Sequence, residues 1–133
     1  MSSFSTKNHC KFLIQYHMIF VTKYRRKILE PIRESCLSAM ETIADKHDFS
    51  IKTQEIDKDH IHLLIESSPT ISPSQICRAL KQESTFLMWK LFPDYLGKVY
   101  WKEKTLWSDG YFVCSIGNAS EETIRNYIAS QGS

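Results

Sequence analysis

The chain has 133 residues, of which 42% are hydrophobic and 12% aromatic, a composition that excludes a disordered chain and favours a single domain over residues 1–133. Seventeen basic and fifteen acidic residues leave a net charge of only +2, so the total charge points to no particular partner. Because there is no recognisable signal peptide or membrane-spanning apolar run, and no C-x-x-C cysteine pair, we expect a soluble, reduced, cytoplasmic protein with no membrane partner.

The first predicted element is a strand over residues 12–22, where β-branched and aromatic residues dominate. It runs into the basic turn, Lys23-Tyr24-Arg25-Arg26-Lys27. This turn is the densest part of residues 1–29, which contain six Lys and Arg side chains and no acid. A polyanion would dock there, and the ring of Tyr24 could stack on a base; a solvated basic turn is the alternative.

A helix and a hairpin follow the basic turn. Pro31 occupies a position where a helix can start, and apolar residues at helical spacing continue to His47, with Asp48 ending the helix. Residues 50–56 and 60–66 read as two short strands joined by a tight polar turn, which predicts a hairpin.

The second half of the chain predicts two helices that flank one strand. Ser72-Pro73-Ser74-Gln75 matches a capping box, so a second helix should run to about Leu91 and be ended by Pro93. A connector leads to a strand over residues 111–116, a turn at Gly117-Asn118 and a last helix over residues 120–131. We expect the second helix to turn four residues inward: Ile76, Leu80, Leu87 and Leu91.

This order of elements predicts an α+β fold. Strand, helix, strand, strand, helix, strand is the split β-α-β pattern of a ferredoxin-like domain, an antiparallel sheet with two helices on one face, here followed by an extra C-terminal helix. The other face of the sheet is then expected to be open. Chemistry or binding would take place on that face or at a second subunit.

Two histidines fall on the predicted open face. His60 and His62 are two apart in a strand, so both imidazoles lie on one side, while Ile61 and its apolar neighbours point to the helices. Imidazoles about 7 Å apart can share a divalent ion. A pair of surface histidines is the alternative, but their position after two aspartates and on the uncovered face favours a site.

The last helix carries a tyrosine and a glutamine on one side. Ile124, Tyr127, Ile128 and Gln131 lie on one arc, so the isoleucines can anchor the helix while Tyr127 and Gln131 face the same surface. On this pattern alone, Tyr127 is more typical of an aromatic residue in the core or at its rim.

Taken together, the motifs resemble the TnpA-type single-tyrosine HUH transposases, which serve the smallest insertion sequences and move them as single strands. The resemblance extends over residues 17–131. It rests on the basic turn and on three further motifs: Asp59-His60-Ile61-His62-Leu63, Leu106-Trp107-Ser108-x-x-Tyr111-Phe112-Val113, and Asn126-Tyr127-Ile128-x-x-Gln131.

The resemblance implies a catalytic set. Tyr127 would be the nucleophile, and His60, His62 and Gln131 would bind a divalent metal. Two imidazoles and an amide also suit Zn²⁺ or Ni²⁺, but the family works with Mg²⁺ or Mn²⁺, which we adopt. The implied reaction cleaves and rejoins single-stranded DNA by transesterification through a 5′-phosphotyrosine.

The resemblance also implies the partners. These are single-stranded DNA with hairpin ends and a second copy of the chain, in a homodimer whose tyrosine helix completes the partner's site; the sequence does not decide between a helix acting in its own subunit and in the other. Lys23, Arg25 and Arg26 would contact the DNA backbone. Weaker candidates, which a solvated helix face explains about as well, are Arg78, Lys81 and Lys90 on the second helix and Lys98, Lys102 and Lys104 in the connector. Trp107 and Tyr111 are expected to pack the sheet.

The main alternative is a non-catalytic or domesticated relative that binds single-stranded nucleic acid with the same fold. An RNA-recognition domain is disfavoured because its aromatic strand signature is absent from the sequence. A rolling-circle initiator is disfavoured because such proteins generally have further domains.

Overall fold

The computed structural model describes residues 5–7, 10–115 and 121–131, and within them the predicted order of strands and helices is observed. The predicted turn at Gly117-Asn118 lies outside the described residues. The elements are β1 (Ser5–Lys7), β2 (Cys10–Phe12), β3 (Ile14–Val21), α1 (Arg33–Lys46), β4 (Ser50–Ile56), β5 (His60–Ser67), α2 (Pro73–Leu91), α3 (Pro93–Val99), β6 (Phe112–Ser115) and α4 (Glu121–Ser130).

The main sheet has four strands in the order β4-β5-β3-β6, and every neighbouring pair is antiparallel. The two central strands therefore come from the two β-α-β halves, which confirms the predicted ferredoxin-like fold. The short strands β1 and β2 pair with each other in a separate antiparallel hairpin that the sequence reading did not include.

The core lies between the sheet and the helices α1 and α2. Met18 and Phe20 of β3 and Ile61, Leu63 and Ile65 of β5 all point into this layer and have no exposed surface. The alternation along β5 is strict, since its residues switch between buried and half-buried over the whole strand. Each fully buried aliphatic side chain of this kind stabilises the fold by about 1.5–3 kcal/mol.

The opposite face of the sheet is not open over its whole area. Ile19 and Val21 alternate with the core residues of β3, so they point away from α1 and α2, yet they also have no exposed surface. The helix α4 lies on this face, where Tyr127 packs its ring against Phe112, the strand neighbour of Ile19. The tyrosine helix thus covers the sheet of its own chain.

The capping box of α2 is confirmed, but one inward position is not. The Ser72 hydroxyl accepts a hydrogen bond from the Gln75 amide (3.2 Å), and the Gln75 side-chain oxygen accepts one from the Ser72 amide (2.8 Å). Leu91, predicted to face inward, is 58% exposed because it is the last residue of the helix, where the chain turns into α3. No helix within the described residues is long and apolar enough to span a membrane.

The helix α3 is a second correction. We expected Pro93 to end a helix and a connector to follow, whereas the same proline also begins α3. Proline suits both roles because the first turn of a helix does not use its missing amide hydrogen. From this segment the hydroxyl of Tyr95 donates to the Ile28 carbonyl and that of Tyr100 to the Lys23 carbonyl, each at 2.8 Å.

A charged contact joins the end of α1 to α2. The Glu83 carboxylate accepts from Lys46 Nζ at 2.9 Å and also contacts the His47 imidazole. Burial alone would raise the pKa of Glu83, but these hydrogen bonds and positive charges outweigh it and hold the pKa below its ordinary value. A carboxyl with a lowered folded-state pKa stabilises the fold above its unfolded pKa, and this stabilisation is lost as the pH falls through the folded value.

We therefore expect Glu83→Gln to lower the free energy of unfolding by about 1 kcal/mol at pH 7, an effect that declines as the pH falls below the ordinary carboxyl pKa and disappears once Glu83 is protonated in the folded protein as well. Urea unfolding of both proteins across this pH range measures the difference. Glu34→Gln, an exposed site in the first turn of α1, is the control and should change stability by less than about 0.5 kcal/mol. A Glu83→Gln effect that persists unchanged at pH 3.5 would contradict the assignment.

Candidate active site

His60 is held by a carboxylate. Its Nδ1 donates to Asp59 Oδ1 at 2.9 Å, and the other oxygen of Asp59 accepts from Arg25 Nε at 3.2 Å. Burial would raise the pKa of Asp59, but the bonds and charges of His60 and Arg25 prevail and keep that pKa below its ordinary value. Asp59 thus stays ionised, fixes the Nδ1-protonated form of His60, and leaves Nε2 as the nitrogen that can bind a metal.

His62 contacts a third histidine that the sequence reading did not assign to the site. The two rings are 5.1 Å apart, and His62 Nε2 is hydrogen-bonded to Nδ1 of His17 at 3.1 Å. Burial lowers the pKa of His62, and the nearby His17 lowers it further. The imidazole is therefore held neutral, which is the state a metal ligand needs. The alternation of β3 could have revealed His17, since it shares a face with Ile19.

Tyr127 and Gln131 converge at Gly110. A Cβ atom added to this glycine would lie 3.7 Å from Tyr127 Oη and 3.8 Å from Gln131 Oε1. Gln131 Oε1 also accepts from the Ser108 hydroxyl at 3.3 Å. The helical spacing of four thus brings the phenol and the amide to one point above the chain before β6, as expected of neighbours on one helix face.

The hydroxyl of Tyr127 is buried and has no hydrogen-bond partner among the described residues. Burial, assisted by the nearby Cys77, raises the pKa of Tyr127 to about 12, so the phenol is protonated at neutral pH. A buried hydroxyl without a partner costs about 1–3 kcal/mol. Such a costly group is typical of a site that is completed by a ligand.

The two halves of the site share a face but do not touch. The strand register places Ile19 between His62 and Phe112, so two strand spacings, about 10 Å, separate His62 from the residue on which Tyr127 packs. In the part of the chain that the structure describes, no hydrogen bond or ring contact joins His60 or His62 to Tyr127 or Gln131. His60 does share a cavity of about 350 Å³ with Arg125, Ile128 and Ala129 of α4.

The donor types suit a divalent cation, although the two imidazoles and the Gln131 amide do not converge on one point within this chain. Within the described residues, no three His, Cys, Asp or Glu side chains are grouped to hold a metal ion, so the candidate ligands are two imidazoles and the amide oxygen of Gln131. A mixed nitrogen and oxygen set suits Mn²⁺ and related divalent ions. The carboxylate behind His60 and the lowered pKa of His62 both favour imidazole forms that can bind a metal.

The basic turn lies beside the candidate site and forms ion pairs with two aspartates, Asp109 and Asp59. Lys23 Nζ lies 3.1 Å from Asp109, and Arg25 Nε lies 3.2 Å from Asp59, while Arg26 is exposed. Tyr24 (φ 60°) and Arg25 (φ 52°) both adopt the left-handed conformation, which is costly for residues other than glycine. Strain of this kind is found where a particular side-chain direction is needed for function.

The segment before β6 is fixed from α2. As expected, Trp107 packs the sheet: it is buried, its ring lies 5.8 Å from that of Phe20, and its Nε1 donates to Ser84 Oγ at 2.9 Å. Lys81 Nζ donates to three successive carbonyls, those of residues 108, 109 and 110, at 2.7, 3.1 and 3.0 Å. Lys81 therefore supports the backbone on which Tyr127 and Gln131 converge, and burial lowers its pKa.

We expect Lys81→Met to lower the free energy of unfolding by about 1.5–3 kcal/mol, because three carbonyls lose a charged donor. Urea unfolding at pH 7 measures the change. Lys90→Met, at an exposed position of the same helix, is the matched control and should stay within about 0.5 kcal/mol of the unchanged protein. Equal effects of the two substitutions would show that the Lys81 contacts do not stabilise this segment.

Comparison with known proteins gives a consistent result. Residues 10–131 match the family described as "Transposase IS200 like". The ISDra2 transposase TnpA of Deinococcus radiodurans is 26% identical over 121 residues, which are 90% of this chain and 85% of that protein. The transposase for insertion sequence element IS200 of Salmonella typhimurium is 28% identical over 124 residues, covering 92% of this chain and 80% of that protein.

Two solved structures share the fold. A crystal structure of a candidate transposase from Deinococcus radiodurans R1 superposes with a TM-score of 0.87 at 26% identity, covering 96% of this chain and 97% of that one. A REP-associated tyrosine transposase bound to a REP hairpin superposes with a TM-score of 0.58 at 13% identity, covering 92% and 68%. The second likeness concerns the fold alone.

Proposed function

Because this chain belongs to the family of IS200-like transposases, we propose that it cleaves and rejoins single-stranded DNA at hairpin-marked element ends, through a 5′-phosphotyrosine formed on Tyr127. The observation that carries this proposal is the buried Tyr127 hydroxyl, which has no partner among the described residues and lies beside the Gln131 amide at Gly110. A structural tyrosine would normally satisfy its hydroxyl when buried, as Tyr95 and Tyr100 do here.

The chemistry is an exchange of phosphodiester bonds. Tyr127 Oη bonds to phosphorus, the bond from phosphorus to the 3′ oxygen breaks, and the phenol proton is balanced by the proton that the released 3′ hydroxyl gains. A 3′ hydroxyl of another strand later attacks the phosphotyrosine and restores Tyr127. Each step replaces one phosphate ester by another, so no ATP is consumed.

The phenol requires help to react, because a pKa of about 12 leaves only about one molecule in 10⁵ ionised at neutral pH. His60, His62 and Gln131 would hold Mg²⁺ or Mn²⁺, which supplies positive charge that polarises the phosphodiester. Asp59 keeps the His60 ring in its metal-binding form, and Ser108 orients the Gln131 amide.

The basic turn would hold the DNA backbone. Lys23 and Arg25 already lie beside the site through Asp109 and Asp59, so phosphates arriving there can exchange with these carboxylates, and Arg26 is exposed to meet the strand. A hairpin as partner is supported by the shared fold of the REP-associated transposase, which is bound to one.

We further propose a homodimer in which α4 can serve the histidines of the partner subunit. About 10 Å separates His62 from Phe112, the residue on which Tyr127 packs. The helix that brings Tyr127 to the histidines would therefore have to lie elsewhere than α4 does in its own subunit, which supports this proposal. Mixing inactive His60→Ala with inactive Tyr127→Phe tests it. Restored cleavage requires exchange between subunits, whereas a helix acting only in its own subunit leaves the mixture inactive.

The test of the function is a denaturing-gel assay with labelled hairpin oligonucleotides taken from the DNA flanking the gene. We expect a heat-stable protein–DNA adduct in Mg²⁺ or Mn²⁺, none in chelator, and a tryptic peptide whose Tyr127 carries the nucleotide. Tight binding to the hairpins without any adduct would instead support the alternative, a non-catalytic single-stranded nucleic-acid-binding relative.

A further inference from the structure

The structure contains an aromatic cleft beside the basic turn. Two of its most exposed aromatic side chains, Tyr24 (53% exposed) and Trp101 (73% exposed), line one cavity of about 240 Å³. Large exposed rings that line one cavity are candidates for a binding surface. The aromatic cleft is lined by Tyr24, Arg26, Val99, Tyr100, Trp101, Lys102, Glu103 and Thr105.

The cleft is built rather than incidental. Tyr24, which lines the cleft, has the left-handed backbone conformation described above. Two hydrogen bonds to distant segments hold the basic turn: Tyr100 Oη donates to the Lys23 carbonyl (2.8 Å), and the Lys23 amide donates to the Leu106 carbonyl (2.9 Å). These contacts fix the backbone next to Tyr24, which lines the cavity together with Trp101. Strain at Tyr24 is therefore maintained by the surrounding fold.

The charges around the cleft suit a nucleotide. Lys102 Nζ lies 5.0 Å from the centre of the Trp101 ring, and Lys23 Nζ lies 5.6 Å from the centre of the Tyr24 ring. Arg26 adds a further cation, against one acid in the lining, Glu103. Exposed rings with cations close by are the arrangement by which proteins bind unpaired bases together with their phosphates.

The cleft is continuous with the candidate active site. Tyr24 also lines a second cavity, of about 170 Å³, whose other walls include Gly110 and Gln131. Tyr24 therefore stands between the point where Tyr127 and Gln131 converge and the surface of Trp101. A strand that runs along both cavities would pass Tyr24 between Gly110 and Trp101.

We propose that the aromatic cleft binds one unpaired nucleotide of the cleaved DNA strand, with its base stacked on Trp101 against the Tyr24 wall and its phosphate held by Arg26 or Lys102. The cleft thus acts as a sequence-tolerant clamp that positions the neighbouring phosphodiester for Tyr127. This inference rests on the proposed function, and it adds a subsite outside the catalytic residues.

The test compares two ligands of equal charge. Binding of a fluorescent oligothymidylate and of an abasic oligonucleotide of the same length is measured by anisotropy in chelator, where no cleavage occurs. Trp101→Ala should weaken binding of the oligothymidylate about 10-fold, the effect typical of one lost base–aromatic stack, and leave the abasic ligand unaffected. Trp101→Phe, which keeps an aromatic face, should retain most of the affinity.

Phe86→Ala is the matched control, because Phe86 is 67% exposed on α2 and is not among the residues lining the cleft. It should bind both ligands as the unchanged protein does. Equal loss for both ligands, or no loss for either, with Trp101→Ala overturns the inference. The adduct assay on the unchanged protein decides the proposed function separately, so a failed clamp and a failed transposase mechanism are distinguishable.

Discussion

Replacing Tyr127 by phenylalanine is expected to abolish the covalent DNA adduct and at the same time to stabilise the free protein. The adduct should fall at least about 1,000-fold, to the detection limit, because no other group replaces a missing nucleophile. The free energy of unfolding should rise by about 1 kcal/mol, because the substitution removes a buried hydroxyl that has no partner among the described residues. A denaturing gel and urea unfolding measure the two effects.

Tyr95→Phe provides the opposite control. The Tyr95 hydroxyl donates to the carbonyl of Ile28, a buried residue, so its removal should lower stability by about 1 kcal/mol and leave adduct formation unchanged. If Tyr127→Phe instead lowered stability as expected of Tyr95→Phe, the Tyr127 hydroxyl would have a hydrogen-bond partner in solution. An adduct that survived in Tyr127→Phe would assign the nucleophile to another residue.

Substituting His60 by alanine is expected to lower the affinity for Mn²⁺ at least about 100-fold, since loss of an outer-shell partner alone typically costs 10–100-fold. Adduct formation should fall in parallel at fixed Mn²⁺. Titration of free Mn²⁺ by electron paramagnetic resonance measures the binding without requiring cleavage. The change should have little effect on folding, because His60 is a half-buried residue at the start of β5 rather than part of the core.

His47→Ala is the matched control for this experiment. His47, at the end of α1, is equally a partly buried histidine beside a carboxylate, but its partner is Glu83 of α2. The His47→Ala protein should therefore bind Mn²⁺ like the unchanged protein while losing some stability. Unchanged Mn²⁺ affinity in His60→Ala would remove this histidine from the metal site.

The fold was predictable where the signal is local. The capping box of α2 and the alternation that sends His60 and His62 to one face and Ile61 to the other both depend on a few adjacent residues, and both are observed. The exposure of Leu91 was not predictable in this way. Whether the last turn of a helix is covered depends on the path of the chain beyond it, which periodicity does not describe.

The contacts within the candidate site were predictable only in part, for the same reason. The sequence showed the cations of the basic turn but not their acids, because Asp59 and Asp109 lie 34 and 86 residues away from their partners Arg25 and Lys23. Nor could it show that Trp101 and Tyr24 face one cavity, since these residues come from segments joined only in the folded chain. Contacts between distant segments are what the sequence pattern leaves open.

The fully buried Ile19 and Val21 limit how α4 can move. If the helix left its own sheet and nothing replaced it, whatever part of these two aliphatic side chains it shields would meet water, at a cost of at most roughly 3–6 kcal/mol. A reciprocal swap between two chains exposes neither residue, because each sheet receives the other's helix. The balance between unswapped monomers and swapped dimers would therefore shift with protein concentration, and the nucleophile would change subunits only as one of a pair.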